Sequence, residues 1–364
     1  VKAHADEITA CFYPLMFEQY PQVIPYFNQT NQGKGTQPKA LANAVVAYGA
    51  NIDELGNLSD AVAQIVQKHC SLGVLPQHYD IVGSCLLQAI ARVLGDAATD
   101  TVIEAWRKAY GQLANILIDA EESVYAETEK APGGWRGERA FRLVRRTPES
   151  AVITSFYFAP VDGGEIPDFE PGQAVTLVLS IDGESVRRNY SLSDAPGAQH
   201  LRISVKREPQ GMVSNYLHDS LVEGNEVHLL PPSGRFVLRR NDKPLVLLTG
   251  GVGRGRDIRF IRAALNSEVH AFRAHVDQLA AANDAISAYY VYSEPCADCA
   301  PHAQGFVTAD MVATQLPADR DVELYFLGPK PFMTAMYKIV RDLGVPPAQV
   351  HYEFFGPTEE LEAS

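Results

Sequence analysis

The chain has 364 residues, of which 46% are hydrophobic and 21% charged, so its composition indicates a folded protein of two or three domains. Its formal net charge of −13 argues against nucleic acid or an anionic membrane surface as the main partner. No apolar run approaches the roughly 18 residues that a membrane span needs. No signal-peptide pattern is visible, and the five cysteines do not make a disulfide framework, so we expect a cytoplasmic protein.

Residues 1–130 have the apolar spacing of helices throughout, and we predict an all-α domain there. Two of the apolar stripes are Leu86, Ile90 and Leu94, and Trp106, Tyr110, Leu113 and Leu117. A third contains Val62, Ile65, Val66 and His69, which share one helix face. An apolar stripe that ends in a single imidazole suits a haem-binding helix, because a neutral imidazole is a good iron ligand. Taken alone, however, such a histidine is more often part of a hydrophobic core.

The apolar period changes to two from residue 140 to residue 240, which predicts short strands. The strands are expected at 140–144, 151–158, 174–179, 201–205 and 226–230. They favour a closed antiparallel barrel, interrupted by a short helix near 214–221. Arg-Asn-Tyr-Ser at 188–191 ends a strand, and Gly-Met-Val-Ser at 211–214 opens the helix. Guanidinium groups and helix N-termini both favour phosphate, so the pair of motifs indicates a site for a diphosphate and a flavin ring.

The last part of the chain, from residue 243 on, alternates unbroken apolar strands at 244–249 and 322–327 with helical stretches. This pattern predicts an α/β domain whose parallel sheet binds ligands at the carboxyl ends of its strands. Gly-Gly-Val-Gly at 250–253 follows the first strand, as nucleotide-binding turns do, although glycines in a turn are weak evidence alone. An aromatic segment at 352–357 would suit covering a cofactor ring.

The order of these motifs resembles that of the flavohaemoglobins over essentially all 364 residues. In the α-domain the segments 11–17, 26–32, 37–41 and 68–69 match the family pattern in order. The resemblance implies a globin domain at 1–131, an antiparallel β-barrel FAD-binding domain at 135–242 and an α/β NAD(P)-binding domain at 243–364. It implies a nitric oxide dioxygenase, in which electrons pass from NAD(P)H through FAD to haem and haem-bound O2 oxidises NO to nitrate.

The resemblance also implies roles for individual residues. His69 would be the proximal ligand of the haem iron, with Tyr79 and Glu121 keeping its imidazole electron-rich. Tyr13 and Gln37 would face bound dioxygen on the distal side. The other implied haem contacts are Phe27, Leu41 and Lys68, of which Lys68 would lie between haem and flavin. The implied FAD contacts are Arg188, Asn189, Tyr190, Ser191, Gly211, Val213, Ser214, Phe354, Phe355, Gly356 and Pro357, and the implied dinucleotide contacts are Gly251, Val252 and Gly253.

The chain departs from the family pattern at several positions. Ala174 stands where the family has a Tyr against the flavin, and Leu327 and Phe354 stand where it has Cys, so we expect altered flavin affinity and potential. After Gly253 the family has a Thr-Pro pair and a helix, whereas this chain runs directly into 256–262, which resembles the next strand. Either the segment is deleted or this sequence omits it. We expect that the protein contains the segment, because loss of the helix would uncover one face of the sheet. The intact mass should then exceed the 39.8 kDa of these residues.

Two other functions stay open. A haem–flavin reductase acting on lipid hydroperoxides or another acceptor is compatible with Ala174 and Leu327. A globin-type gas sensor is disfavoured, because a sensor has no need of flavin and dinucleotide motifs. We expect a monomer whose small-molecule partners are O2 and NO, and a lipid in the distal haem pocket is a further option.

A Cys-Ala-Asp-Cys motif at 296–299, with His302 close behind, resembles part of a zinc site. Structural zinc takes four ligands, and no second Cys/His pair is close in sequence. We therefore interpret this motif as a surface loop.

Overall fold

The computed structural model describes residues 2–27, 48–49, 59–248 and 256–353. Helices form the N-terminal region, an antiparallel sheet follows, and a parallel sheet flanked by helices ends the described chain, which confirms the predicted fold class. The predicted site residues Gln37, Leu41, Gly251, Val252, Gly253, Phe354, Phe355, Gly356 and Pro357 lie outside the described residues, as does the Gly253–Arg254 junction, where the family's Thr-Pro pair and helix are missing.

The described helices of the N-terminal region are α1 (Ala5–Gln19), α2 (Ser59–Leu72), α3 (Pro76–Leu94) and α4 (Asp100–Lys130). Proline at the first position of α3 costs no hydrogen bond, and His78 Nδ1 accepts one from the N–H of Leu75 at 3.1 Å. Thr99 caps α4 by accepting a hydrogen bond from the N–H of Val102 at 3.4 Å. None of the described helices is both long and apolar enough to cross a membrane.

The helices pack through the predicted apolar stripes. Leu86 and Ile90 of α3 are buried against α1, where Phe12 and Met16 are also buried. Val66 of α2 and Leu117 of α4 belong to a second buried cluster. His69 therefore lies near the end of a helix, as the spacing predicts, and this helix packs against α4 while the His69 side chain reaches Tyr79 of α3.

Close packing between α3 and α4 gives a stability prediction at Gly83. A Cβ atom there would lie 2.4 Å from Cε1 of Tyr110, whose hydroxyl donates to the carbonyl of Tyr79 at 2.6 Å. We expect Gly83→Ala to lower the free energy of unfolding by about 1–3 kcal/mol, because the ring must move. Gly111→Ala is the control, since a Cβ atom there meets nothing within 4 Å. Alanine is more favourable than glycine inside a helix by about 0.5–1 kcal/mol, so this variant should not be destabilised. Thermal unfolding of both variants checks this, and equal melting temperatures would contradict it.

Antiparallel strands form the middle region. They are β1 (Arg139–Pro148), β2 (Ile153–Pro160), β3 (Ala174–Ile181), β4 (Glu184–Ser191), β5 (Leu201–Lys206) and β6 (Glu226–Leu229). Their order in the sheet is β4-β3-β6-β1-β2-β5, and an antiparallel bridge between Leu192 and Ile203 joins the end of β4 to β5. This bridge brings the two sheet edges together, so the strands curl into the predicted barrel around a buried apolar core. Helix α5 (Met212–Asp219) packs Val213 and Leu217 into that core.

The last region contains a parallel sheet with apolar clusters on both faces. Its strands are β7 (Leu245–Leu248), β8 (Ile258–Ala264), β9 (Ile286–Tyr292), β10 (Ala303–Gln304), β11 (Glu323–Phe326) and β12 (Val350–Tyr352), in the order β10-β9-β8-β7-β11-β12. The described helices are α6 (Arg273–Ala282), α7 (Ala309–Gln315) and α8 (Lys330–Asp342). The strand order reverses between β7 and β11, which is where such sheets bind ligands.

The connection between β7 and β8 is short. Leu245 pairs with Ile258 in parallel, and only nine residues, 249–257, separate the two strands. A parallel crossover that includes a helix ordinarily takes at least about 10–12 residues. The strand predicted at 256–262 is present as β8. The nine-residue connection that precedes it is shorter than a crossover with a helix usually requires.

Candidate functional site

A buried carboxylate organises the surroundings of His69. Glu121 of α4 is 2% exposed, and its Oε1 lies 2.7 Å from His69 Nδ1. The Tyr79 hydroxyl donates to the same oxygen and lies 2.9 Å from Nδ1. Burial, reinforced by Glu121, raises the pKa of Tyr79, so its hydroxyl stays protonated as the donor. A carboxylate can only accept, so this arrangement holds the imidazole proton on Nδ1.

The other ring nitrogen of His69 is free for a ligand. Nε2 has no hydrogen-bond partner among the described residues, and the side chain keeps 31% of its accessible surface. A fixed Nδ1–H with an open Nε2 is how metal-binding histidines are held, and a charged acceptor makes the ligand more electron-donating. The residues present therefore fit a haem iron at His69 Nε2.

Aromatic rings surround Tyr13 on α1. Tyr13 is 6% exposed, and its ring centroid lies 5.8 Å from that of Phe27 and 5.9 Å from that of Phe17. Phe27, which the resemblance assigns to the haem pocket, thus contacts Tyr13 directly. Gln37 and Leu41, the other predicted residues of this pocket, lie outside the described residues.

The end of strand β4 carries the predicted flavin motif. Burial lowers the pKa of Arg188, and burial raises that of Tyr190 to about 12. Only one donor of Arg188 is used within the described chain, by the carbonyl of Arg187 at 2.8 Å. A half-buried guanidinium with unused donors fits a cofactor diphosphate. Ala174 pairs with Ser191 across β3 and β4, so the departure from the family's tyrosine is next to this motif.

The N-terminus of helix α5 lies beside the same barrel. Gly211 precedes the helix, and the Ser214 hydroxyl donates to its carbonyl and accepts from the N–H of Glu208, both at 3.1 Å. Val213 is buried in the barrel core. The side chains of Ser214 and Val213 therefore make contacts within the domain. A phosphate at this turn would be bound by the backbone N–H groups.

Lys68 of α2 contacts strand β4 and is influenced by the charge of Glu353. Lys68 Nζ of α2 lies 3.4 Å from Asn189 Oδ1 of β4. Surrounding protein lowers the pKa of Lys68 by desolvation, although the side chain stays accessible, and the negative charge of Glu353 opposes this shift. Burial raises the pKa of Glu353, which Lys68 lowers in turn. Lys68 therefore joins the helix that carries His69 to the strand that carries Arg188.

Docking of α2 on the barrel uses contacts that sequence reasoning missed. The Thr176 hydroxyl of β3 donates to the carbonyl of Ser71, and both residues are buried. Arg187 donates to the carbonyl of Leu72 at 2.9 Å, and its guanidinium lies 4.5 Å from the Tyr26 ring. These contacts hold the helix that carries His69 against the strands that carry the flavin motif. Nothing in the sequence pattern marks them, because they join side chains to distant backbone carbonyls.

The predicted dinucleotide turn follows Leu248, the last residue of β7. Leu327 and Gly328 follow the neighbouring β11, so both segments come after strand ends at the point where the strand order reverses. Leu327, which stands in place of the family's Cys, is half-buried there.

Comparisons with protein families support two of these regions. The globin family matches residues 10–117, and the oxidoreductase FAD-binding domain family matches residues 140–238. A flavohemoprotein of Burkholderia sp. (strain TH2) is 52% identical over 377 aligned positions, which cover 100% of this chain and 96% of the relative. Because 377 positions exceed the 364 residues here, that relative has residues which this chain lacks. A flavohemoprotein of Pseudomonas aeruginosa is 52% identical over 97% of this chain and 93% of its own.

Solved structures are similar over the same regions. The flavohemoglobin of Malassezia yamatoensis, with bound FAD and heme, has a TM-score of 0.84 and 25% identity, covering 98% of this chain and 96% of that chain. The FAD/NAD-binding domain of nitric oxide dioxygenase from Vibrio cholerae has a TM-score of 0.55 and 32% identity, covering 60% of this chain and 99% of that chain.

Proposed function

This chain belongs to the flavohemoproteins, and from that premise we propose that it is a nitric oxide dioxygenase. It is an NAD(P)H-dependent oxidoreductase with haem and FAD as cofactors, and it transfers electrons from NAD(P)H through FAD to haem. In the proposed reaction one NO, one O2 and one electron give one nitrate ion. The similar Vibrio cholerae domain comes from a protein described by this activity.

The arrangement of His69, Tyr79 and Glu121 carries the proposal. When bound, haem supplies the site at which dioxygen binds and is activated. Glu121 and Tyr79 orient the imidazole, hold its proton on Nδ1 and keep charge density on the ligand. A protein that only stores or senses a gas gains nothing from a flavin-binding strand docked on the helix of its haem ligand.

Proximity of the two cofactor sites gives the second argument. Lys68 and Asn189 are in contact, and Thr176 and Arg187 bind the end of helix α2. These residues would position the haem helix against the flavin motif, so that single electrons cross a short protein path. We propose Arg188, Tyr190 and Ser191 as FAD contacts and Tyr13 as the distal hydrogen-bond donor to dioxygen.

Substitution of Tyr13 tests the distal role. We expect Tyr13→Phe to lower the rate of NAD(P)H-dependent NO consumption by up to about a hundredfold, since loss of one oxyanion-type donor costs about 10²–10³. Tyr20→Phe is the matched control, because Tyr20 follows the same helix and its hydroxyl has no hydrogen-bond partner in the described chain. An NO electrode measures both variants.

The same assays separate the proposed activity from its alternatives. Equal NO consumption by Tyr13→Phe and Tyr20→Phe would show that Tyr13 has no such role. Turnover of a lipid hydroperoxide that exceeds turnover of NO under matched NAD(P)H would favour the reductase over the dioxygenase.

A further inference from the structure

Two cysteines of the α/β region form a disulfide outside the site described above. Cys296 and Cys299 lie in the loop between β9 and β10, with their Cα atoms 5.1 Å apart. Both residues are partly accessible to solvent. The motif predicted as a surface loop therefore lies in a loop, and its two sulfurs are bonded to each other.

The two sulfurs differ in their hydrogen bonds. Cys299 Sγ accepts from the N–H of Cys296 at 3.1 Å and from the N–H of Ser267 at 3.4 Å, and the Ser267 hydroxyl lies 3.2 Å away. For Cys296 Sγ the structure gives one such contact, with the same hydroxyl at 3.4 Å. Donors that converge on one sulfur stabilise negative charge there. In the reduced protein, Cys299 is therefore the better thiolate.

The loops that provide these donors are fixed by backbone contacts. The N–H groups of Ser293 and Glu294 donate to the carbonyls of Ala264 and Leu265 at 3.1 and 2.9 Å. Arg273 donates to the carbonyl of Ala300 at 3.4 Å, which brings a positive charge to the end of the loop. The donor arrangement around Cys299 thus belongs to two tied loops that follow β8 and β9, and opening the S–S bond leaves these ties in place.

A metal site is the competing use of this motif. His302 Nδ1 already accepts a hydrogen bond from the N–H of Tyr290 at 3.0 Å, and its ring stacks on Tyr289. Within the part of the chain that the structure describes, no group of three or more His, Cys, Asp or Glu residues is arranged to hold a metal ion. Cys296 and Cys299 are therefore suited to thiol–disulfide chemistry and not to metal binding.

We propose that Cys296 and Cys299 are a redox-active dithiol–disulfide pair whose substrates are small thiols and disulfides. An external thiolate attacks Cys296 Sγ, the S–S bond breaks, and Cys299 leaves as a thiolate, because the better-stabilised sulfur leaves faster. A second external thiolate attacks the mixed disulfide and releases Cys296. Two external thiols are oxidised to one disulfide, and their two protons and two electrons convert the protein disulfide to two thiols. The reverse reaction consumes an external disulfide.

Glutathione buffers applied to the purified holoenzyme test this proposal. Samples equilibrated at different ratios of reduced to oxidised glutathione are quenched in acid, alkylated and analysed by peptide mass spectrometry. We expect the 296–299 peptide to change from disulfide to dithiol as the ratio rises. In Cys299→Ser we expect a glutathione mixed disulfide to accumulate on Cys296.

Alkylation rates test the asymmetry between the sulfurs. In Cys296→Ser at neutral pH, Cys299 should react with iodoacetamide faster than Cys11, a partly accessible free cysteine. Adding Ser267→Ala should slow this reaction by about tenfold, because a hydrogen bond to a charged group is worth at least that factor. Haem and flavin spectra confirm that each variant is folded. The proposal would be overturned if the disulfide never forms, or if glutathione and dithiothreitol leave it intact in the folded protein. It would also be overturned if iodoacetamide alkylates Cys299 no faster than Cys11.

Discussion

His69→Ala is expected to yield a protein that retains no stoichiometric haem while NAD(P)H still reduces its FAD. The substitution removes the only described imidazole whose Nδ1 is held by Glu121 and Tyr79, and it leaves the β4 flavin motif untouched. Haem content is measured from the Soret band and by extraction, and flavin reduction is followed anaerobically.

His78→Ala is the matched control for this experiment. His78 lies in the same region but accepts a hydrogen bond from the N–H of Leu75 at the start of α3. Its loss should cost about 1 kcal/mol of stability, as for other helix caps, and leave haem content unchanged. A His69→Ala protein with a normal Soret spectrum and full haem content would show that another residue binds the iron.

Glu121→Gln is expected to raise the midpoint potential of the haem and to lower the rate of NO consumption by about 10–100-fold. The neutral amide removes the negative charge that makes the His69 imidazole electron-rich, so the reduced iron becomes relatively more stable. Tyr79→Phe should shift the potential less, because it removes a hydrogen bond and keeps the carboxylate. Spectroelectrochemical titration gives the potentials.

Glu122→Gln controls for a change of charge on the same helix. Glu122 is exposed and pairs with Arg136 at the surface, where ion pairs contribute about 0–1 kcal/mol. The haem midpoint potential and the rate of NO consumption of Glu122→Gln should match those of the unmodified protein. If Glu121→Gln lowers activity with no change in potential or in the iron–imidazole stretching frequency, Glu121 only maintains the fold.

The sequence predicted the parts of the fold that have a regular apolar period. The stripe through Val62, Val66 and His69 predicted helix α2, and the unbroken apolar run before 249 predicted β7. Strand β4 is different: its sequence, Glu-Ser-Val-Arg-Arg-Asn-Tyr-Ser, is polar and has little alternation, so only its end was expected. It forms because β3 offers a full antiparallel partner.

The candidate site was predictable only in part. Tyr79 and Glu121 are 42 residues apart, and no local spacing brings them to one imidazole; the family resemblance implied both. Thr176 and Arg187 carried no signal, because their roles depend on how separate regions pack, and Glu353 was noted only as part of the aromatic segment at 352–357. The bonded pair Cys296 and Cys299 was visible as a motif, but its partner Ser267 comes from a loop 29 residues earlier in the chain.

Isotope labelling of the product tests the central proposal most directly. Purified holoenzyme turning over NAD(P)H and NO under ¹⁸O₂ should form nitrate that carries two ¹⁸O atoms, because a dioxygenase transfers both atoms of O2 to one NO. His69→Ala should form no labelled nitrate beyond the uncatalysed background. Nitrate with one ¹⁸O atom, or NO consumption that yields nitrite or nitrous oxide instead, would contradict the assignment as a nitric oxide dioxygenase.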